Sequence, residues 1–191
     1  MSLTARRNLS LSAALCFCAC TVTATEPVQV FTMSPTLAAE RDRFARTLEE
    51  YPVHEASWNA KQNVTLAYTV RQGTVSLLVA DPCEWLPIKV RIVNGQLRSA
   101  IYSASGGKCV AGSRATTTGL YLTPSALFSL IAASRAKLQC YSAPIETGCL
   151  PSALRVTYDG IYDFPIKIED YSEGVSDYYW HLEITDISRM P

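Results

Sequence analysis

Over residues 64–71, apolar Val64, Leu66, Tyr68 and Val70 alternate with Thr65, Ala67, Thr69 and Arg71. Successive side chains of a strand point to opposite faces, so a period of two predicts a strand with one face buried. Gly73 is expected to mark a bulge or turn, with residues 75–79 extending the strand or forming a short new one before Asp81-Pro82-Cys83. Ile88, Val90 and Ile92 repeat the alternation up to Asn94-Gly95, and Leu97, Ser99 and Ile101 continue it beyond. Both positions of a two-residue hairpin turn need positive φ, which Asn and Gly adopt at least cost, so this segment predicts a hairpin. Three further strands are predicted over residues 154–159, 166–171 and 177–186.

Two stretches carry helical spacing instead. Ser34-Pro35 offers a capping hydroxyl followed by proline at the first helical position, and Leu37, Phe44 and Leu48 follow with charges between them. Pro52 is expected to interrupt that helix, and residues 53–61 to add another turn or two carrying Trp58. Thr123-Pro124 opens the second helix, with Leu127, Phe128, Ile131 and Leu138 on one face and Arg135 and Lys137 near its end, where cations suit the helix dipole. The Ser-, Gly- and Thr-rich residues 103–119 predict a long loop. The order helix, strands, helix, strands predicts an α+β fold: an antiparallel β-sheet packed on one face by helices, as a single domain over residues 36–191.

The first residues follow a different pattern. Arg6 and Arg7 precede an apolar stretch over 9–19, and small residues run to Val22-Thr23-Ala24. Basic, apolar and small-residue regions in that order read as a signal peptide over residues 1–24. Cleavage after Ala24 leaves a chain that starts at Thr25, with residues 25–35 as a flexible leader. The alternative is lipidation of Cys20, although Phe17 and Cys18 stand where a lipidated cysteine is usually preceded by leucine and a small residue. Arg6-Arg7 also hints at a twin-arginine signal, but Ala5 before it and Ser10 after it favour an ordinary one. The expected location is periplasmic or secreted, with a lipid-anchored envelope protein as the alternative.

Export changes what the charges and cysteines mean. The 191-residue chain has 17 Lys+Arg and 17 Asp+Glu; Arg6 and Arg7 leave with the signal, so 15 basic residues face 17 acidic ones. A slightly acidic domain gives no electrostatic case for nucleic acid or for an anionic membrane. The expected partner is therefore a protein or another envelope component, with membrane contact only through a lipidated Cys20. Beyond the signal lie Cys83, Cys109, Cys140 and Cys149. In an oxidising compartment four cysteines predict two disulfides in one of three pairings, and short polar loops favour Cys83–Cys109 and Cys140–Cys149.

Residues with catalytic potential are few. His54 and His181 belong to no metal-ligand spacing and adjoin no nucleophile, and alternation places His181 on a solvent face with Tyr179, Glu183 and Thr185. Ser105-Gly106-Gly107-Lys108 lacks the spacing of a phosphate-cradling loop, and no nucleophile elbow occurs. These absences predict no catalytic residue, no metal and no cofactor. Asp159, Asp163, Glu169, Asp170, Glu173 and Asp177 crowd the C-terminal third, where turn-forming and solvated-edge roles explain most of them. If Asp159 and Asp163 converged in a pocket, they would instead suit a carboxylate-dependent hydrolase. The same segment is rich in aromatic residues, which give large contact area at low entropic cost; Tyr162, Tyr171 and Tyr179 are the candidate binding residues.

Thr123-Pro124-Ser125-Ala126-Leu127-Phe128-Ser129-Leu130-Ile131, then Val156-Thr157-Tyr158-Asp159 and Phe164-Pro165-Ile166-Lys167-Ile168, form a larger pattern with Trp58, Tyr68 and the Val90-Arg91-Ile92-Val93-Asn94-Gly95 hairpin. Over about residues 45–188 this pattern resembles the bacterial family catalogued as domain of unknown function 6174. The resemblance implies a small exported protein, many members being lipoproteins, and no assigned activity. Cys83-Glu84-Trp85 departs from the closely spaced cysteine pair that the family implies.

Overall fold

Six strands form one sheet in the order β3-β2-β1-β6-β5-β4, every neighbouring pair antiparallel. They are β1 (Thr65–Val75), β2 (Ile88–Val93), β3 (Gln96–Tyr102), β4 (Ser152–Tyr158), β5 (Pro165–Ser172) and β6 (Tyr179–Met190). The structure, a computed structural model, describes residues 33–75, 83, 85–115, 120–141, 151–172 and 179–191. Phe31–Pro191 pack as one unit. Two helices, α1 (Pro35–Lys61) and α2 (Pro124–Ala133), lie against the sheet, so the expected α+β architecture is present.

Alternation sets the sheet's two faces. Leu66, Tyr68 and Val70 of β1, Ile88, Val90 and Ile92 of β2, Leu182 and Ile184 of β6 and Ile168 of β5 are buried. They meet Phe44, Leu48 and Trp58 of α1 and Leu127, Phe128 and Ile131 of α2 in one core. Trp58 sets its ring edge-on to Phe164 at 5.4 Å, an arrangement favoured by the ring quadrupoles.

The helix starts form as the sequence predicts: Ser34 Oγ accepts from the Leu37 N–H and Thr123 Oγ1 from the Ala126 N–H. Pro52, however, does not end α1. It lies on the exposed side of one continuous helix. It removes a single backbone donor there, while Leu48 before it and Trp58 after it dock on the same core. The second helix is shorter than expected. After Ala133 the chain tightens into a 3₁₀ helix, Ser134–Tyr141, because the Ser134 hydroxyl turns back to donate to the Ile131 carbonyl at 2.6 Å.

Two further expectations need correction. Gly73 neither bends nor ends β1, which runs on to Val75. A Cβ at Gly73 would stand 2.7 Å from the Trp85 ring, so the glycine admits an indole across the strand. The hairpin turn forms with Asn94 at φ 50 and Gly95 at φ 73, but β3 does not keep simple alternation. Arg91 faces Ser99 while Ile92 faces Leu97, so Arg98 is an extra residue. This bulge turns Ala100 and Tyr102 into the core and leaves Ile101 39 % exposed.

Among the described residues there is one complete disulfide, Cys83–Cys109, the first of the two pairings expected. Cys140 is not a free thiol, and Cys149 lies outside the described residues. Cys83–Cys109 fastens the segment before β2 to the loop after β3. Residues 112–115 of that loop run beside the outer edge of β3, with Tyr102 donating to the Ser113 carbonyl and Ala115 to the Ala100 carbonyl.

Candidate binding face

On the sheet face turned away from the helices, cross-strand pairing lines up Gly73 of β1, His181 of β6 and Glu169 of β5. Side chains that face each other across neighbouring strands lie close enough to interact. The Tyr179 hydroxyl donates to Glu169 Oε1 at 2.7 Å and lies 3.1 Å from His181 Nδ1. Lys167 Nζ stands 2.8 Å from the same Glu169 oxygen. Trp85 crosses Gly73 and stacks over His181, ring centroids 6.4 Å apart and 23° from parallel. His181 is therefore only 17 % exposed and not the solvent-face residue that alternation alone predicts.

Charge and hydrogen bonding fix the state of this cluster. Burial would push the Glu169 carboxyl up, yet hydrogen bonds from Lys167 and Tyr179, with the positive charge of Lys167, hold it below its ordinary range. An ionised, doubly engaged carboxylate positions its neighbours. The product is a fixed surface of indole, imidazole and phenol rings around one negative charge, which suits recognition.

Of the predicted tyrosines, Tyr162 stands apart from Tyr179. Tyr179 belongs to this cluster. Tyr162 sits in the β4–β5 turn, with its ring 6.4 Å from Phe164 and its N–H on Asp159 Oδ1. The length of β5 separates the two, about 20 Å. Tyr171 is opposite Tyr179 in backbone register, and its side chain lies outside the described parts of the structure.

Asp159 and Asp163 take different partners. Asp159 Oδ1 accepts the Ile161 and Tyr162 N–H groups, which closes the β4–β5 turn. Asp163 reaches α1, where His54, Ser57 and Lys61 share one helix face. Its Oδ2 accepts from Ser57 Oγ and Lys61 Nζ, each at 2.6 Å, and its Oδ1 is 3.5 Å from His54 Nδ1. Those hydrogen bonds hold the Asp163 carboxyl down at about 2. A general acid needs a raised pKa, which Asp163 does not have. Ser57 also points at the carboxylate and not at the imidazole, which differs from a nucleophile–base arrangement. His54 instead stacks on Tyr158 at 3.7 Å.

Asp170 likewise leaves the acidic cluster. It is buried on the helix side, where Ser152 Oγ donates to its Oδ1 at 2.5 Å and Lys137 pairs with its Oδ2. No group of described His, Cys, Asp and Glu residues is arranged to hold a metal ion. No described helix is long and apolar enough to cross a membrane.

Sequence reading missed Trp85, Glu169 and the Asp170–Lys137 pair as partners. Glu169 and Lys167 alternate on β5 and were open to the same face argument as Tyr179 and His181. Trp85 lies outside any periodic stretch and gives no such signal. Searches against family models, curated proteins and solved structures find no match to this chain.

Proposed function

We propose that this chain is an exported, non-enzymatic α+β domain that binds an envelope component through the sheet face opposite its helices. The observation that carries the reading is the Trp85–His181–Tyr179 cluster, whose rings are set around Glu169 on that face. Export rests on the N-terminal basic, apolar and small-residue pattern, and the Cys83–Cys109 bridge is compatible with an oxidising compartment. The family resemblance adds the same expectation of export and supplies no catalytic residue.

Two measurements test the two halves. Mass spectrometry of the cell-derived protein should find an N-terminus at Thr25, or a diacylated Cys20 if the chain is anchored; an intact Met1 overturns export. Cross-linking in the envelope should give a defined adduct that Trp85→Ala/Tyr179→Ala loses while its circular dichroism stays unchanged. If the folded double variant gives the same adduct, binding lies elsewhere.

A further inference from the structure

Near-neutral composition conceals a strong segregation of charge. Between residues 85 and 145 there is no Asp or Glu, while seven Lys and Arg residues fall there. That span includes β2, β3 and the loop packed on the edge of β3. Lys89 and Arg91 alternate with buried Ile88, Val90 and Ile92, so they project from the face turned away from the helices. Arg71 of β1, between buried Val70 and Gln72, joins them on that face. Arg98 is the bulge residue, and Arg114 is brought beside β3 by its bridge to Ile101.

All five side chains are exposed, and none makes an ion pair with a described residue. Elsewhere Lys61, Lys137, Arg155 and Lys167 each hold a carboxylate, while Arg46, Arg135 and Arg189 stand singly on other parts of the chain. Along β3 lies a shallow groove of about 290 Å³, lined by Arg98, Ser99, Ala100, Ile101, Gly112 and Arg114. Two guanidinium groups and a hydroxyl there match the oxygens of a phosphate.

We propose that the β1–β3 end of the sheet face, with the groove along β3, is a docking surface for an anionic phospholipid bilayer. Charge complementarity selects an anionic partner, and two exposed aliphatic side chains select lipid among anions. Ile101 is 39 % exposed and Val110, beyond the groove in the same loop, is 60 % exposed. Cations flanking exposed aliphatic groups suit a headgroup layer, where the charges meet phosphate and the aliphatic tips enter the acyl boundary. A single-stranded nucleic acid would call for aromatic stacking platforms, and the five cations lie among strands and a loop whose exposed apolar groups are aliphatic. The lipid surface is a second contact beside the partner of the preceding reading, and the proposal rests on that reading only for where protein and bilayer would meet.

The test uses the protein as recovered from cells, its N-terminus read by mass spectrometry, with vesicles of phosphatidylcholine alone or mixed with phosphatidylglycerol. The mixed vesicles should bind it and the neutral ones should not, with binding weakening as salt is added. One Lys or Arg near an anionic surface contributes about fivefold, so Arg91→Gln/Arg98→Gln should bind about 25-fold more weakly. Arg46→Gln, on an exposed part of α1, should bind as the wild type does, and Ile101→Ser should weaken vesicle binding while leaving binding to dextran sulfate unchanged. For a chain beginning at Thr25, equal binding to the two vesicle types, or an undiminished Arg91→Gln/Arg98→Gln variant, overturns the proposal. Loss of dextran sulfate and vesicle binding together, with no effect of Ile101→Ser, overturns the choice of lipid in favour of a soluble polyanion. A diacylated Cys20 or a retained apolar signal would insert into both vesicle types by itself, and for such a chain dextran sulfate binding undiminished in Arg91→Gln/Arg98→Gln overturns the proposal.

Discussion

Asp163 holds a left-handed backbone conformation, φ 63, which aspartate tolerates better than most residues. Its carboxylate ties the β4–β5 turn to α1 through Ser57 and Lys61. Because its pKa falls from 3.8 to about 2 on folding, the unfolded chain takes up that proton first as the solution is acidified. The stabilisation is fully present above about pH 4 and is lost as pH falls through about 2. Asp163→Asn should therefore lower the urea midpoint at pH 7 and narrow its gap to the wild type by pH 2. A gap that stays constant over that range would rule out this linkage. At this scale the sequence was legible in identity and not in partnership. Asp163 reads as a turn former, and its partners lie 106 and 102 positions away on a helix. The same distance hid Trp85 over His181.

At the scale of elements, the predicted helices and strands exist, because each rests on local periodicity or a local cap, while the extension expected over residues 76–79 lies outside the described residues. The misreadings lie where tertiary packing overrides a local signal. Pro52 loses to the shared anchoring of Leu48 and Trp58, Gly73 to the Trp85 ring, and the alternation of β3 to the Arg98 bulge. The 3₁₀ helix is held to the sheet by Lys137, which pairs with buried Asp170 and lies 3.2 Å from Ser152 Oγ. The two partners differ in exposure: the Lys137 side chain is 36 % exposed and that of Asp170 is 11 %. Lys137→Ala strands a buried carboxylate and should cost about 3 kcal/mol, the low end for a buried pair. Asp170→Ala lets the lysine turn to solvent and should cost about 1–2 kcal/mol, the loss of its hydrogen bonds. Chemical denaturation of both variants decides it; an equal or reversed order would mean that the carboxylate is better hydrated than its burial implies.

For the molecule as a whole, the fold class was legible because the order of elements limits the layers available. Charge placement was not, since net charge sums over faces that the chain's path separates. Cys83–Cys109 joins two of those faces' supports, the segment carrying Trp85 and the loop along β3, across a sequence separation of 26. A cross-link of that span stabilises by about 3–4 kcal/mol through the unfolded state. Cys83→Ala/Cys109→Ala should lower the melting temperature by roughly 10 °C, at about 2–4 °C per kcal/mol for a domain of this size. Calorimetry of the double variant measures it. A shift of a degree or less would mean that the two segments stay as confined without the bond.

The central pair of the sheet joins the first strand to the last, Val75 opposite Tyr179 and Thr65 opposite Met190. A growing chain emerges from the ribosome N-terminus first, so β1 must wait for β6 before its central partner exists. The β2–β3 hairpin can close early; the sheet cannot. Pairings of such long sequence separation make folding slow. Until β6 is made the chain stays uncommitted to its native topology, an extended state of the kind that the proposed export would need, with the centre of the sheet zipping up last.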